Sequence, residues 1–214
     1  MIPFLLVLSA PSGGGKTTIA RALVAARDDL GFSVSATTRP PREGERDGED
    51  YHFLSPTEFE RYVQAGAFLE WAEYGTHRYG TLRSDVDDLL AEGRHVLLDI
   101  EVQGARQVRE RCQNVVSVFI LPPSARALVE RLGGRNTERP AELARRLRRA
   151  VEEMAEAASY DYVVVNTDRT QAVAEVAAII DAETHRTQRQ PELEPDLQAL
   201  VREVADLASA IERT

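Results

Sequence analysis

Four short runs, almost wholly apolar, punctuate the chain: Phe4–Ser9 (FLLVLS), Val96–Ile100 (VLLDI), Val115–Leu121 (VVSVFIL) and Tyr162–Val165 (YVVV). A strand with one wet face alternates apolar and polar residues. Runs that are apolar on both faces instead predict central strands of a parallel sheet covered from both sides. Between them, apolar positions recur with helical spacing in Thr17–Arg27, Leu82–Glu92, Ala125–Leu132, Ala141–Ala158 and Gln171–Glu183. Strands alternating with helices predict an α/β, doubly wound domain.

Residues 33–81 break that rhythm. They hold a strand-like stretch (SVSATT), a polar loop (RPPREGERDGEDY), a short strand (YHFLS), a helix, and another strand around Phe68–Tyr74. The helix start is well marked, with Ser55 as N-cap, Pro56 in the first turn and Glu58 closing a capping box. A mixed, partly antiparallel insertion after the first strand and helix predicts a subdomain, and inserted subdomains are often where specificity is built. Beyond Glu183, the polar stretch THRTQRQPELEPDL leads to an amphipathic tail, Leu197–Ile211. That tail reads as a solvated helix packed on the surface or as a partly ordered segment.

A length of 214 residues fits one domain with an appendage, and 43% hydrophobic with 29% charged residues excludes wholesale disorder. The formal net charge of −9 argues against a general polyanion binder, so no nucleic-acid partner is expected. Phe4–Leu8 has no basic residue before it and leads straight into glycines, which predicts a buried strand and not a signal peptide. No run approaches the ~20 apolar residues of a membrane span. The one cysteine, Cys112, has no disulfide partner and is expected at a helix end or partly buried, and the four His show no metal-ligand spacing. A reduced cytoplasmic setting is the expectation. Of the 26 basic residues 25 are Arg, and the exception is Lys16.

Lys16 closes Ala10-Pro11-Ser12-Gly13-Gly14-Gly15-Lys16-Thr17-Thr18, between the first strand and the first helix. Successive glycines let backbone N–H groups converge on one anion, and the helix start adds its positive end. In such a loop Lys16 lies along the β- and γ-phosphates of a nucleotide and the Thr17 hydroxyl reaches Mg²⁺. The strict pattern has Gly where this chain has Ala10, a small residue that suffices if its φ is negative. Without a ligand the same stretch would be a glycine-rich turn.

A second anion site is suggested by Arg39-Pro40-Pro41-Arg42, where two guanidinium forks on a proline-stiffened turn suit a phosphomonoester, with Tyr51 and Tyr79 as further donors. At this point the chain resembles the guanylate kinase family. The matching blocks are SAPSGGGKTT, FSVSATTRPPREGERDGEDYHF, FLEWAEYGTHRYGT, LLDIEVQGA, FILPPSARALVERLGGRNTE and YDYVVVN, spread over residues 4 to about 180. The resemblance implies a P-loop fold with a core (1–32 and 82–183), a GMP-binding subdomain (33–81) and a helical lid (about 126–149), leaving 184–214 as an extension. It implies phosphoryl transfer from ATP to GMP with Mg²⁺.

Carried over residue by residue, the resemblance puts Ser12, Gly13, Gly14, Gly15, Lys16, Thr17 and Thr18 on ATP. It puts Arg39, Arg42, Tyr51 and Tyr79 on the GMP phosphate, and Ser35, Glu70 and Thr81 on the base. Guanine presents adjacent N1–H and N2–H donors that one carboxylate accepts together, whereas adenine would leave a buried carboxylate unsatisfied. Asp99 follows an apolar strand as a magnesium-organising carboxylate would, acting through water; a helix-capping role is its alternative. Glu101 would accept from the guanine amino group or order nearby waters. Arg131, Arg135 and Arg146 match the family's arginines that neutralise the transferred phosphoryl group. Arg126, Arg139, Arg145, Arg148 and Arg149 read as a solvated helix face. Asn136 stands where the family has Gly, and Asn166 either touches the adenine edge or forms a turn. The competing readings are a phosphopeptide-binding module of the same fold without catalysis, and a P-loop kinase for another small acceptor such as a ribose phosphate.

Overall fold

A computed structural model describes residues 1–133 and 140–213. Five parallel strands form the central sheet: β1 (Leu5–Ser9), β2 (Leu30–Phe32), β7 (His95–Asp99), β8 (Val115–Leu121) and β9 (Tyr162–Val165), in the order β2-β7-β1-β8-β9. The unbroken apolar runs are explained by what covers each face. Leu6, Leu8, Val116, Val118 and Ile120 point toward helices α1 (Lys16–Ala26) and α7 (Arg169–Thr184) through Ile19, Leu23, Val176 and Ile180. Leu5, Val7, Val96, Leu98 and Phe119 point the other way, toward Val86 of α3 (Arg83–Ala91) and Ala105 and Val108 of α4 (Val102–Arg111). A fully buried side chain such as Leu6 or Val7 contributes ~1.5–3 kcal/mol of hydrophobic stabilisation.

The second sheet, mixed, has the order β4-β3-β6-β5, from β3 (Ser35–Thr37), β4 (His52–Phe53), β5 (Phe68–Tyr74) and β6 (His77–Leu82). Helix α2 (Pro56–Gln64) covers it, with Phe59 stacked on Phe68 at 4.4 Å between ring centroids. The capping box at Ser55 and Glu58 is formed in full. This sheet is tied to the core where Gln107 of α4 donates to the Trp71 carbonyl at 2.7 Å.

Helices α5 (Ala125–Gly133) and α6 (Pro140–Ala155) pack together through Leu128, Leu132 and Ala150. Helix α8 (Leu193–Glu212) follows α7, and each of its residues is exposed. Among the described residues, no helix is long and apolar enough to cross a membrane.

Three elements escaped the sequence pattern. β2 is three residues with Gly31 at its centre, and β6 reads HRYGTL, without apolar alternation. α4 carries Gly104 in its first turn and few large apolar residues, so its buried stripe of Val102, Ala105 and Val108 is narrow. Cys112 caps the end of α4, partly buried as expected, and burial raises its thiol pKa.

Candidate active site

A cleft of about 1050 Å³ opens between the C-terminal ends of the central strands and the second sheet, and Ser12 to Thr18 line its floor. The loop is shaped by backbone angles that only glycine adopts cheaply. Gly13 and Gly15 have φ of +80° and +91°. A Cβ on Gly15 would also stand 2.6 Å from the Asn166 side-chain nitrogen. Ala10 is buried and is not among the positive-φ residues, so this departure from the strict pattern carries no strain.

The loop is held from outside by three elements. Asn166, just past β9, donates to the Gly14 carbonyl at 2.9 Å, and Arg131 of α5 donates to the same carbonyl at 3.3 Å and to the Asn166 carbonyl at 2.9 Å. Because a trans peptide sets N–H opposite C=O, fixing the Gly14 carbonyl outward turns the Gly15 N–H inward. From α6, Arg146 donates to the Ser12 hydroxyl at 3.3 Å. Glu153, 6% exposed, accepts the Ser12 N–H at 2.9 Å and pairs with Arg149 at 2.9 Å. Sequence reasoning missed Glu153. Its signal was a carboxylate lying between Ala150 and Met154 on the apolar stripe of an amphipathic helix.

Lys16 lies between two carboxylates at the end of β7, 3.0 Å from Asp99 Oδ1 and 3.3 Å from Glu101 Oε1. Burial alone would depress its pKa. Attraction from Asp99 and then Glu101 outweighs burial, so the ammonium stays charged. Asp99 Oδ1 is buried, with the Lys16 ammonium as its charge partner. Asp99 and the Thr17 hydroxyl, which lines the same cleft, make an all-oxygen donor set of the kind a hydrated Mg²⁺ takes.

Strand register brings the three base-site candidates into one row. Ser35 pairs with Thr81, and Thr81 pairs with Glu70, across β3, β6 and β5. An irregularity between Phe68 and Glu70 re-aims the strand, so that Phe68 and Leu69 enter two different cores while Glu70 lines the cleft. Glu70 is 4% exposed and accepts the Thr81 hydroxyl at 2.7 Å. Burial pushes its carboxyl up to about 7, against the hydrogen bond from Thr81 and the charge of Lys16. Behind it stands Gly104 of α4, where a Cβ would sit 2.1 Å from Glu70 Oε2.

Arg42, Tyr51 and Tyr79 line the cleft with Ser35, Glu70, Asp99 and Glu101. Arg39 is not among the lining residues. Its guanidinium is forked onto Glu45 at 2.9 Å through both nitrogens and lies 5.2 Å from the Tyr51 ring centroid. Glu45, which also accepts the Arg42 N–H at 2.7 Å, was not foreseen. Arg135, Asn136 and Arg139 lie outside the described residues.

Arg126 makes an exposed pair with Glu130, as a solvated face should, whereas Arg145, paired with Glu142, and Arg148 line the cleft. Arg149 departs from that reading. It stacks on Tyr74 of β5, 3.5 Å from the ring centroid, and so links α6 to the second sheet.

A parallel sheet whose first strand runs through a glycine loop into a helix opening Lys-Thr defines a P-loop nucleotide-binding protein, here with a second polar pocket facing the loop. The guanylate kinase family model matches residues 3–183. The chain is 52% identical to the guanylate kinase of Symbiobacterium thermophilum, over 86% of this chain and 88% of that protein. It is 49% identical to the guanylate kinase of Alkalilimnicola ehrlichii, over 88% and 93%. The crystal structure of guanylate kinase from Anaplasma phagocytophilum superposes with a TM-score of 0.76 at 35% identity, covering 92% of this chain and 95% of that one. The chain belongs to the guanylate kinase family.

Proposed function

We propose that the chain transfers the γ-phosphoryl group of ATP to GMP, and to dGMP, giving ADP and GDP. The observation that carries this reading is one cleft holding both a glycine phosphate loop with Lys16 and, facing it, the buried Glu70 carboxylate in a row with Thr81 and Ser35. The first suits a nucleoside triphosphate and the second suits the paired N1–H and N2–H donors of guanine. Residues 33–81 would carry GMP, with Arg42, Arg39, Tyr51 and Tyr79 around its phosphate. Arg39 has donors beyond those given to Glu45, so it reaches an anion by sharing its fork or by releasing that carboxylate.

An ionised phosphate oxygen of GMP is already a nucleophile. It attacks the γ-phosphorus, the bond to the β–γ bridging oxygen breaks, and ADP leaves with the electron pair. No side-chain base is needed, so the protein contributes alignment and charge stabilisation. Lys16 would exchange its two carboxylate partners for phosphate oxygens, and Arg131 and Arg146, already bonded to the Gly14 carbonyl and the Ser12 hydroxyl of the loop, would add to the charge neutralisation. Thr17 and, through water, Asp99 would hold Mg²⁺, which when bound neutralises charge on the β- and γ-phosphates. Glu101 would accept from the guanine amino group or order water between the sites. The segment 126–149 would close over ATP, with Arg135 added to the charge-neutralising set.

The test is ADP release in a coupled assay with GMP, dGMP, AMP, UMP and ribose bisphosphate as acceptors. Turnover is expected with the guanine nucleotides alone, and Lys16→Ala is expected to lower it by ~10³-fold or more while the protein stays folded. Silence with every acceptor would overturn the assignment in favour of a binding module.

A further inference from the structure

Helix α8 lies beyond residues 3–183, the span matched by the family, and none of its residues is buried. Six of its seven large apolar side chains are ordered along the helix: Leu193, Leu197, Leu200, Val204, Leu207 and Ile211 follow spacings of four and three in strict alternation, and the seventh, Val201, flanks them. That alternation is a heptad seam, period 3.5. These six side chains are between 37% and 74% exposed.

We propose that α8 is a dimerisation helix, pairing with α8 of a second copy of this chain as a parallel two-stranded coiled coil. The heptad assignment is set by the spacing: Leu197, Val204 and Ile211 occupy the a positions, and Leu193, Leu200 and Leu207 the d positions. Two β-branched residues at a with Leu at every d is the combination that favours two parallel strands. Charge selects the same orientation. In a parallel pair, g-position Asp196 and Glu203 face Val201 and Ala208 of the partner helix, so no like charges meet. An antiparallel pair aligning the same apolar layers would set Glu203 against its own copy, at a cost in stability.

Area supports self-association as well. With roughly 100 Å² of exposed apolar surface on each seam side chain, two helices would cover on the order of 1,000 Å² in total, the lower end of specific interfaces. A seam of this size, three heptads long, is expected to give a micromolar dimer.

Sedimentation of the full chain from low to high micromolar concentration should show a monomer–dimer equilibrium. Leu200→Glu with Leu207→Glu, both at exposed positions away from the cleft, should weaken association by roughly 100-fold while leaving GMP-dependent turnover unchanged. Orientation is read by Leu207→Cys in a Cys112→Ser background, because d faces d only in a parallel pair. Oxidation should then give a disulfide-linked dimer. A chain that stays monomeric throughout, a dimer that survives both Glu substitutions, or a dimer in which Cys at position 207 does not cross-link would each overturn the proposal.

Discussion

Replacing Glu70 by Gln should make the protein more stable and a worse enzyme, and the pH dependence of the first effect tests the physics of the site. Burial raises the Glu70 carboxyl from the ordinary 4.5 to about 7. An acid that holds its proton more tightly in the folded state adds stability that is complete below its unfolded pKa and is lost as pH rises through the folded one. Between those limits the loss is about 3 kcal/mol. Gln carries no charge and its oxygen can still accept the Thr81 hydroxyl that Glu70 accepts at 2.7 Å. The amide NH₂ that replaces the second oxygen needs an acceptor of its own, which takes back about 1 kcal/mol. The Gln variant should therefore exceed the parent by about 2 kcal/mol at pH 8 and lose that advantage by pH 5, as read by urea unfolding of the ligand-free proteins. Its KM for GMP should rise by roughly 100-fold, because one guanine donor then meets an amide donor, while the KM for ATP changes little. A Gln variant less stable than the parent at pH 8, or a difference that is the same at both pH values, would refute the argument.

Two other substitutions probe residues that support the site. Gly104→Ala places a methyl group 2.1 Å from Glu70 Oε2, so the carboxylate must move; the KM for GMP is expected to rise at least ~10-fold with that for ATP unchanged, measured by varying each substrate in turn. Glu153→Ala removes the acceptor of the Ser12 N–H and the partner of Arg149, and should raise the KM for ATP several-fold. Glu153→Gln keeps an acceptor oxygen and should recover most of that loss, an outcome that distinguishes holding the loop from simply filling space.

Most of the architecture was legible because its signals are local. A strand apolar on both faces, a capping box at Ser55 and Glu58, and a run of glycines before Lys16 each follow from a few neighbouring residues, and each is found where the pattern puts it. What was not legible depends on contacts between distant segments. Nothing near Arg149 in the chain announces that it stacks on Tyr74, and nothing near Asn166 announces that it grips the Gly14 carbonyl. Arg39 illustrates the same limit: the Arg-Pro-Pro-Arg turn suggested two equal forks, but a carboxylate six residues on occupies one of them.

The sequence by itself determined the class of fold, the phosphate loop and, through six ordered blocks, the family. Short-range backbone preferences and unbroken hydrophobic runs suffice for the first two, and motif order for the third. Tertiary structure alone decided the electrostatic state of the cleft. Lys16, Asp99 and Glu101 lie at or beyond the C-terminal ends of two adjacent parallel strands and meet only when β1 and β7 pair, and Glu70 acquires its raised pKa only when β5 folds against α4. Charge and burial act through space, at distances of a few ångströms between residues 30 to 85 positions apart in the chain, and that proximity exists only once the sheets have formed.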